Sequence, residues 1–165
     1  MSDASPGLGS DSATPEQSAA VEASRVERDR TFEALLGLEA ALGTAAPGRE
    51  AEWISAVSAT LRTLEDAMSK ERTESLRLDS LLSMIATDNP RRFASRVRQL
   101  REQSDDIIES LESLHGQLDR FEQQSIDVAD VRQRLGWVIR AIHYRRARES
   151  DLVFEAIRMH LGTAW

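Results

Sequence analysis

Apolar residues near the end of the chain recur in alternating steps of four and three: Val131, Leu135, Val138 and Ile142, and further on Leu152, Ala156 and Met159. An α-helix turns once in about 3.6 residues, so this spacing lines one face of a single long helix, the face a core would cover. The same steps carried through the gap put Arg145 and Glu149, from the segment HYRRARESDL, at positions where apolar side chains are the rule. A cleaner seam lies upstream: Phe93, Val97, Leu100, Ser104, Ile107, Leu111, Leu114, Leu118 and Phe121, with Ser104 as its one polar member. Asn89 and Pro90 supply a cap and a first-turn proline for that helix. Asp127 is placed to cap the last helix, which is expected to run to Leu161 and Gly162.

In the first half of the chain, Thr14-Pro15-Glu16-Gln17 reads as a capping box with proline at the first helical position. Phe32, Leu35 or Leu36, Leu38 and Leu42 predict a face that runs back through Asp29 and Arg25, in a helix ending near Gly43 and the Pro47-Gly48 turn. A second helix from Arg49 is expected to bury Trp53 or Ile54, Val57, Leu61, Leu64 and Met68, its seam reaching Glu71 with Glu74 one turn on. Leu76, Leu78, Leu81, Leu82 and Ile85 predict a short further helix or a bent continuation before the Thr87–Pro90 break.

Four long amphipathic helices on short loops imply an all-α fold, an up-down antiparallel four-helix bundle with a short extra helix between the second and third long ones. Antiparallel packing of the last two long helices about their shared loop brings Ser104 and Arg145 to one height. Asp29, Glu71 and Glu74 are the expected members of that layer from the other two. A polar layer inside a bundle is where such folds keep metal sites. Residues 14–165 are read as one domain, and residues 1–13, rich in Ser, Gly, Ala, Asp and Pro without periodicity, as a disordered tail.

Composition narrows the function more than it defines it. The 165 residues carry a net charge of -7, which disfavours nucleic acid and anionic membrane surfaces as partners. No signal-peptide pattern and no apolar run of roughly 20 residues occurs, so a cytoplasmic protein without a membrane span is expected. The lack of cysteine excludes disulfides, thiolate ligands and a cysteine nucleophile. Neither a Gly-rich phosphate loop nor a spaced nucleophile and base is present, and no enzymatic activity is expected.

Lys70 is the one lysine, so nearly all cations are arginine forks suited to bidentate carboxylate pairing. The clusters Arg91, Arg92, Arg96, Arg98, Arg101 and Arg140, Arg145, Arg146, Arg148 share their helices with acids such as Glu102, Asp105, Asp106 and Asp151, and read mainly as ion-paired faces. Glu112 and His115 form one Glu-x-x-His pair, a unit that diiron bundles use twice, but they flank their seam. His143 adjoins Ile142, and His160 falls in the last turn. Gly116 and Gly136 are expected to serve close helix approach. Trp53, Trp137 and Trp165 read as core or edge aromatics, Trp165 also as a contact surface.

The run Arg145-Arg146-Ala147-Arg148-Glu149-Ser150-Asp151-Leu152, followed by Glu155-Ala156 and Leu161-Gly162, resembles the fourth-helix segment of the hemerythrin-like, or HHE cation-binding, family. Weaker similarities are ALLGLEAAL at 34–42, Pro47-Gly48-Arg49-Glu50, DNPRR at 88–92 and RVRQLREQ at 96–103. The resemblance implies a bundle whose histidines and carboxylates hold a diiron or other metal centre for oxygen binding, iron handling or sensing. By the same resemblance Arg145 stands where the fourth-helix histidine would be. The other histidine positions fall at or beside Ser104, at or beside Lys70 or Glu71, and near Asp29, while Glu149 and Glu74 match the family's carboxylates. Arginine has no lone pair for a metal.

The expectation is therefore a divergent member that has lost its diiron centre, holds no cofactor and acts as a non-catalytic interaction or structural module. Its partner is an unidentified protein or a second copy. A buried Arg145–Glu149 charge network, reaching Glu71, Glu74 or Asp29, stands in for the metal. The alternative is a carboxylate site of Glu71, Glu74 and Glu149, with Asp29 or His143, binding iron or manganese for oxygen, redox or iron sensing. A third reading has Arg145 holding a small anion.

Overall fold

Thr14 opens the first helix with the reciprocal bonds expected of it: its hydroxyl accepts from Gln17 N at 3.2 Å, and its own N–H donates to Gln17 Oε1 at 2.9 Å. The structure, a computed structural model, describes residues 13–44, 46–121 and 123–162. The segment expected to be a disordered tail, apart from Ala13, and Trp165 lie outside the described residues. Among the described residues all regular structure is helical: α1 (Pro15–Leu42), α2 (Glu50–Ser75), α3 (Leu81–Asp88), α4 (Pro90–Asp119) and α5 (Val128–Gly162). None of these helices is long and apolar enough to cross a membrane.

The elements follow local chemistry. Asp127 caps α5 by accepting from Ala129 N at 2.9 Å. Asn89 occupies the cap of α4 without a side-chain bond, and Pro90 at the first position does the work of starting the helix. The short extra helix begins later than its leucines suggest. Ser80 caps it, accepting from Ser83 N, while its hydroxyl donates to the Ser75 carbonyl at the end of α2. That clasp turns the chain between the two helices, so Leu82 and Ile85 are buried whereas Leu76 and Leu78 stand exposed in the turn.

α1 packs against α2, α2 against α4, and α4 against α5, with α3 also resting on α4. The seams of α4 and α5 are buried as their spacing predicts, from Phe93 to Leu118 and from Val131 to Leu152. Two apolar clusters result. The larger joins Leu35, Leu38, Leu61, Leu64, Leu111, Leu135 and Ile142, and the smaller gathers Phe93, Val97, Leu100 and Leu152 under Leu82 and Ile85 of α3.

Some positional expectations fail. On α1 the buried face is Ala20, Ser24, Thr31, Ala34, Leu35 and Leu38, and Phe32 and Leu36 face outward. Trp53 is core, but Trp137 is exposed. A Cβ on Gly136 would meet nothing within 4 Å and one on Gly116 only the tip of Arg120, so neither glycine serves a close helix approach.

Candidate polar layer in the core

Between the two apolar clusters the seams change character at the same height. On α5 the buried run passes from Ile142 through Arg145 and Glu149 to Leu152. On α4 it passes from Ile107 through Ser104 to Leu100. α2 contributes Glu71 beyond Met68, and α1 contributes Thr31 before Ala34. These polar side chains are nearly sealed from water: Arg145 and Glu149 are each 4% exposed, Ser104 3%, Glu71 8% and Thr31 1%.

Arg145 organises the layer. Its Nη1 donates to Glu149 Oε2 at 2.8 Å, one helical turn along α5, and stands 3.5 Å from Glu71 Oε1 across the core. Its Nε donates to the Leu100 carbonyl at 3.1 Å, an oxygen that also accepts from the Ser104 hydroxyl at 3.1 Å. The Thr31 hydroxyl donates to the other Glu71 oxygen, Oε2, at 2.6 Å. Every helix of the layer thus supplies a group bonded to another. Arg146, half-buried beside it, donates to the Arg28 carbonyl and lies over the Phe32 ring at 5.8 Å. Burial lowers the Arg146 pKa, and the Glu71 and Glu149 carboxylates pull it back up. Two guanidiniums therefore face two carboxylates, and the layer balances its own charge.

The sequence-expected members are not all here. Arg145, Glu149, Glu71 and Ser104 come together. Asp29 does not: its side chain is 65% exposed and lies 3.7 Å from Arg25 on the surface of α1. The cause is the choice of Phe32 as a core position, which rotates α1 by one residue, about 100°. Thr31 is buried in place of its neighbour Phe32 and is the member α1 gives the layer instead of Asp29; stepping back by seven from Leu38 would have found it, with Ser24 a further seven back. Glu74 is only partly buried, on the edge of α2. Burial raises its pKa, Arg77 opposes the rise, and the charges of Glu27, Asp79 and Glu149 add to it.

The histidines stay outside. His115 lies between α2 and α4, its Nδ1 3.0 Å from Glu65 Oε2 and its Nε2 3.0 Å from Arg62 Nη2. It is 15% exposed, more enclosed than a position flanking the seam suggested. His143 meets Glu39 at 3.1 Å on the surface. Of the arginine clusters, Arg92 and Arg96 share Glu155, and Arg101 turns inward to the Ser75 carbonyl and the Ser83 hydroxyl. On α2, Arg72 takes both oxygens of Asp105 at 2.6 and 2.8 Å, which lowers the Asp105 pKa.

The donor set does not fit a metal ion. A cation bridging Glu71 and Glu149 would have to stand where Arg145 Nη1 stands. Moreover, no three His, Asp or Glu side chains among the described residues gather closely enough to hold one. Comparison with protein-family models, with curated proteins and with solved structures finds no match for this chain.

Proposed function

We propose that this chain is a divergent hemerythrin-like protein, with α1, α2, α4 and α5 forming an up-down antiparallel four-helix bundle, and that it serves as a non-catalytic interaction or structural module. Arg145 takes the position and charge of a metal ion in that bundle. The observation that carries this reading is the Arg145 guanidinium nitrogen between the carboxylates of Glu149 and Glu71, in a polar layer drawn from all four long helices. A guanidinium never loses its proton in a protein, so the layer carries a permanent cation of its own. Arg145 Nη1 and Nε, Glu149 Oε2, both Glu71 oxygens and the Thr31 and Ser104 hydroxyls are engaged within the layer or with the Leu100 carbonyl beside it. The same reading gives the protein a cytoplasmic setting and a protein partner, with neither nucleic acid nor membrane in its function.

The test is metal content by mass spectrometry, with an absorption spectrum and a thermal melt on the same sample, after expression in medium supplemented with iron and manganese. A cooperatively melting protein without stoichiometric metal is the expected result. Iron or manganese near one equivalent, lost in Glu149→Ala, would overturn it.

A further inference from the structure

The buried seam of α5 has a counterpart on the opposite side of the helix. Two residues beyond each seam member, the same steps of three and four pass through Trp137, Arg140, Tyr144, Ala147, Asp151 and Phe154, all exposed. Two residues advance about 200° around an α-helix, so this second line faces directly away from the core. Trp137 is 62% exposed, and Tyr144 and Phe154 are each 63% exposed. The chain has three Trp, one Tyr and four Phe, and three of those eight rings stand on this strip. Arginines cover them, Arg140 at 4.8 Å from Trp137, Arg148 at 5.8 Å from Tyr144 and Arg158 at 5.9 Å from Phe154. Exposed aromatics and arginines on one face have the composition of an interface core.

The order of these residues identifies the partner. About the point between Arg145 and Arg146, Trp137 mirrors Phe154, Arg140 mirrors Asp151, and Tyr144 mirrors Ala147. Two copies of α5 laid antiparallel across a two-fold axis at that point set ring against ring, arginine against aspartate, and large against small, each pair occurring twice. One turn further out, Gln133 faces Arg158. Within one molecule the ion pairs of α5 use Asp130, Arg134, His143, Arg145, Glu149 and Glu155 and pass over Arg140 and Asp151. A like-charged or scrambled strip would pair poorly with itself.

We propose that this outer face of α5 is a homodimer interface, joining two copies of the chain through an antiparallel α5–α5 contact centred between Arg145 and Arg146. The proposal rests on the interaction-module reading above and deepens it by making the partner a second copy. The three rings from each copy remove roughly 700 Å² from water, close to half of a standard interface. The Arg140–Asp151 pairs fix the direction and alignment of the contact.

Analytical ultracentrifugation of the full chain over a wide concentration range tests it. The wild type is expected to show a reversible monomer–dimer equilibrium. Arg140→Asp and Asp151→Arg, each placing like charges opposite one another, are each expected to weaken the dimer by roughly tenfold or more. An equimolar mixture of the two variants is expected to associate again, because every opposed couple in the mixed pair joins unlike charges. Both positions are exposed, so at concentrations low enough for the wild type to be monomeric the thermal melts of the variants should match it. A wild type that stays monomeric throughout overturns the proposal and leaves the face to a different protein. So do variants that dimerise like the wild type, or a mixture no tighter than its components. Those failures leave the metal-free reading standing, whereas bound metal sinks that reading without touching the dimer.

Discussion

Replacing Arg145 with methionine keeps most of the side-chain volume and removes the cation that pairs directly with Glu149 and Glu71. Those carboxylates are 4% and 8% exposed, so water cannot replace the lost partner without opening the core. Breaking a buried pair from one side costs roughly 3–5 kcal/mol, chiefly because the remaining charge stays desolvated. That is a large share of the roughly 5–15 kcal/mol that stabilises an ordinary domain. In urea it corresponds to a midpoint lowered by about 2 M. Arg146→Met provides the control. It loses a bond to the Arg28 carbonyl and a contact with Phe32 but leaves both buried carboxylates their main partner, so about 1 kcal/mol is expected. Neutralising the acids as well, with Glu71→Gln and Glu149→Gln added to Arg145→Met, should recover more than half of the loss, since neither sealed carboxylate is then left charged without its partner. The assay is urea denaturation followed by circular dichroism at neutral pH. Equal losses in the two single variants, within about 0.5 kcal/mol, would refute the argument, as would a triple variant no more stable than Arg145→Met.

Three further outcomes follow from the same layer and its surroundings. Thr31→Val removes the hydroxyl that donates to Glu71 and should cost about 1–3 kcal/mol, whereas Asp29→Asn on the exposed face should stay within about 0.5 kcal/mol; chemical denaturation of the pair checks both. Gly136→Ala should stabilise the protein by about 0.5–1 kcal/mol, because its Cβ meets open space and alanine is the better helix former, and a rise in melting temperature is the readout. Burial raises the Glu74 pKa above its unfolded value, so the folded state holds that proton more tightly. Its charge therefore lowers stability fully above the folded pKa and not at all below the unfolded one. Glu74→Gln should accordingly stabilise the protein at neutral pH and make no difference at pH about 4, as paired denaturation curves would reveal.

How far these features were legible in the sequence differs from helix to helix. On α5, apolar residues at steps of four and three on both sides of the gap left one position each for Arg145 and Glu149, and the helix phase could not be mistaken. Glu71 followed in the same way, seven residues beyond Leu64. On α1 the signal was weak. Its buried upstream residues are Ala20, Ser24 and Thr31, small or polar, while the conspicuous Phe32 and Leu36 face outward. A bulky ring draws the reading of the phase toward itself, and taking Phe32 in place of its neighbour Thr31 carried the inferred face back to Asp29. The Leu100 carbonyl as a partner of Arg145 had no signature at all, because a backbone oxygen is common to every residue. Leu76 and Leu78 misled for a related reason: spacing counts leucines, but the Ser80 clasp decides where the helix begins.

A seam of leucines on leucines is forgiving. Two such helices can slide past each other by a turn, about 5.4 Å, and find nearly the same apolar contacts again. The Arg145–Glu71 pair does not permit this, since a slip of α5 by one turn against α2 would carry the guanidinium fork off that carboxylate. The polar layer is then a key in a keyway. It need add nothing to the depth of the energy well, because its effect is to empty the neighbouring wells. Leucines elsewhere along the bundle could change to other apolar residues with modest losses, and the helices would still come to rest at the same place.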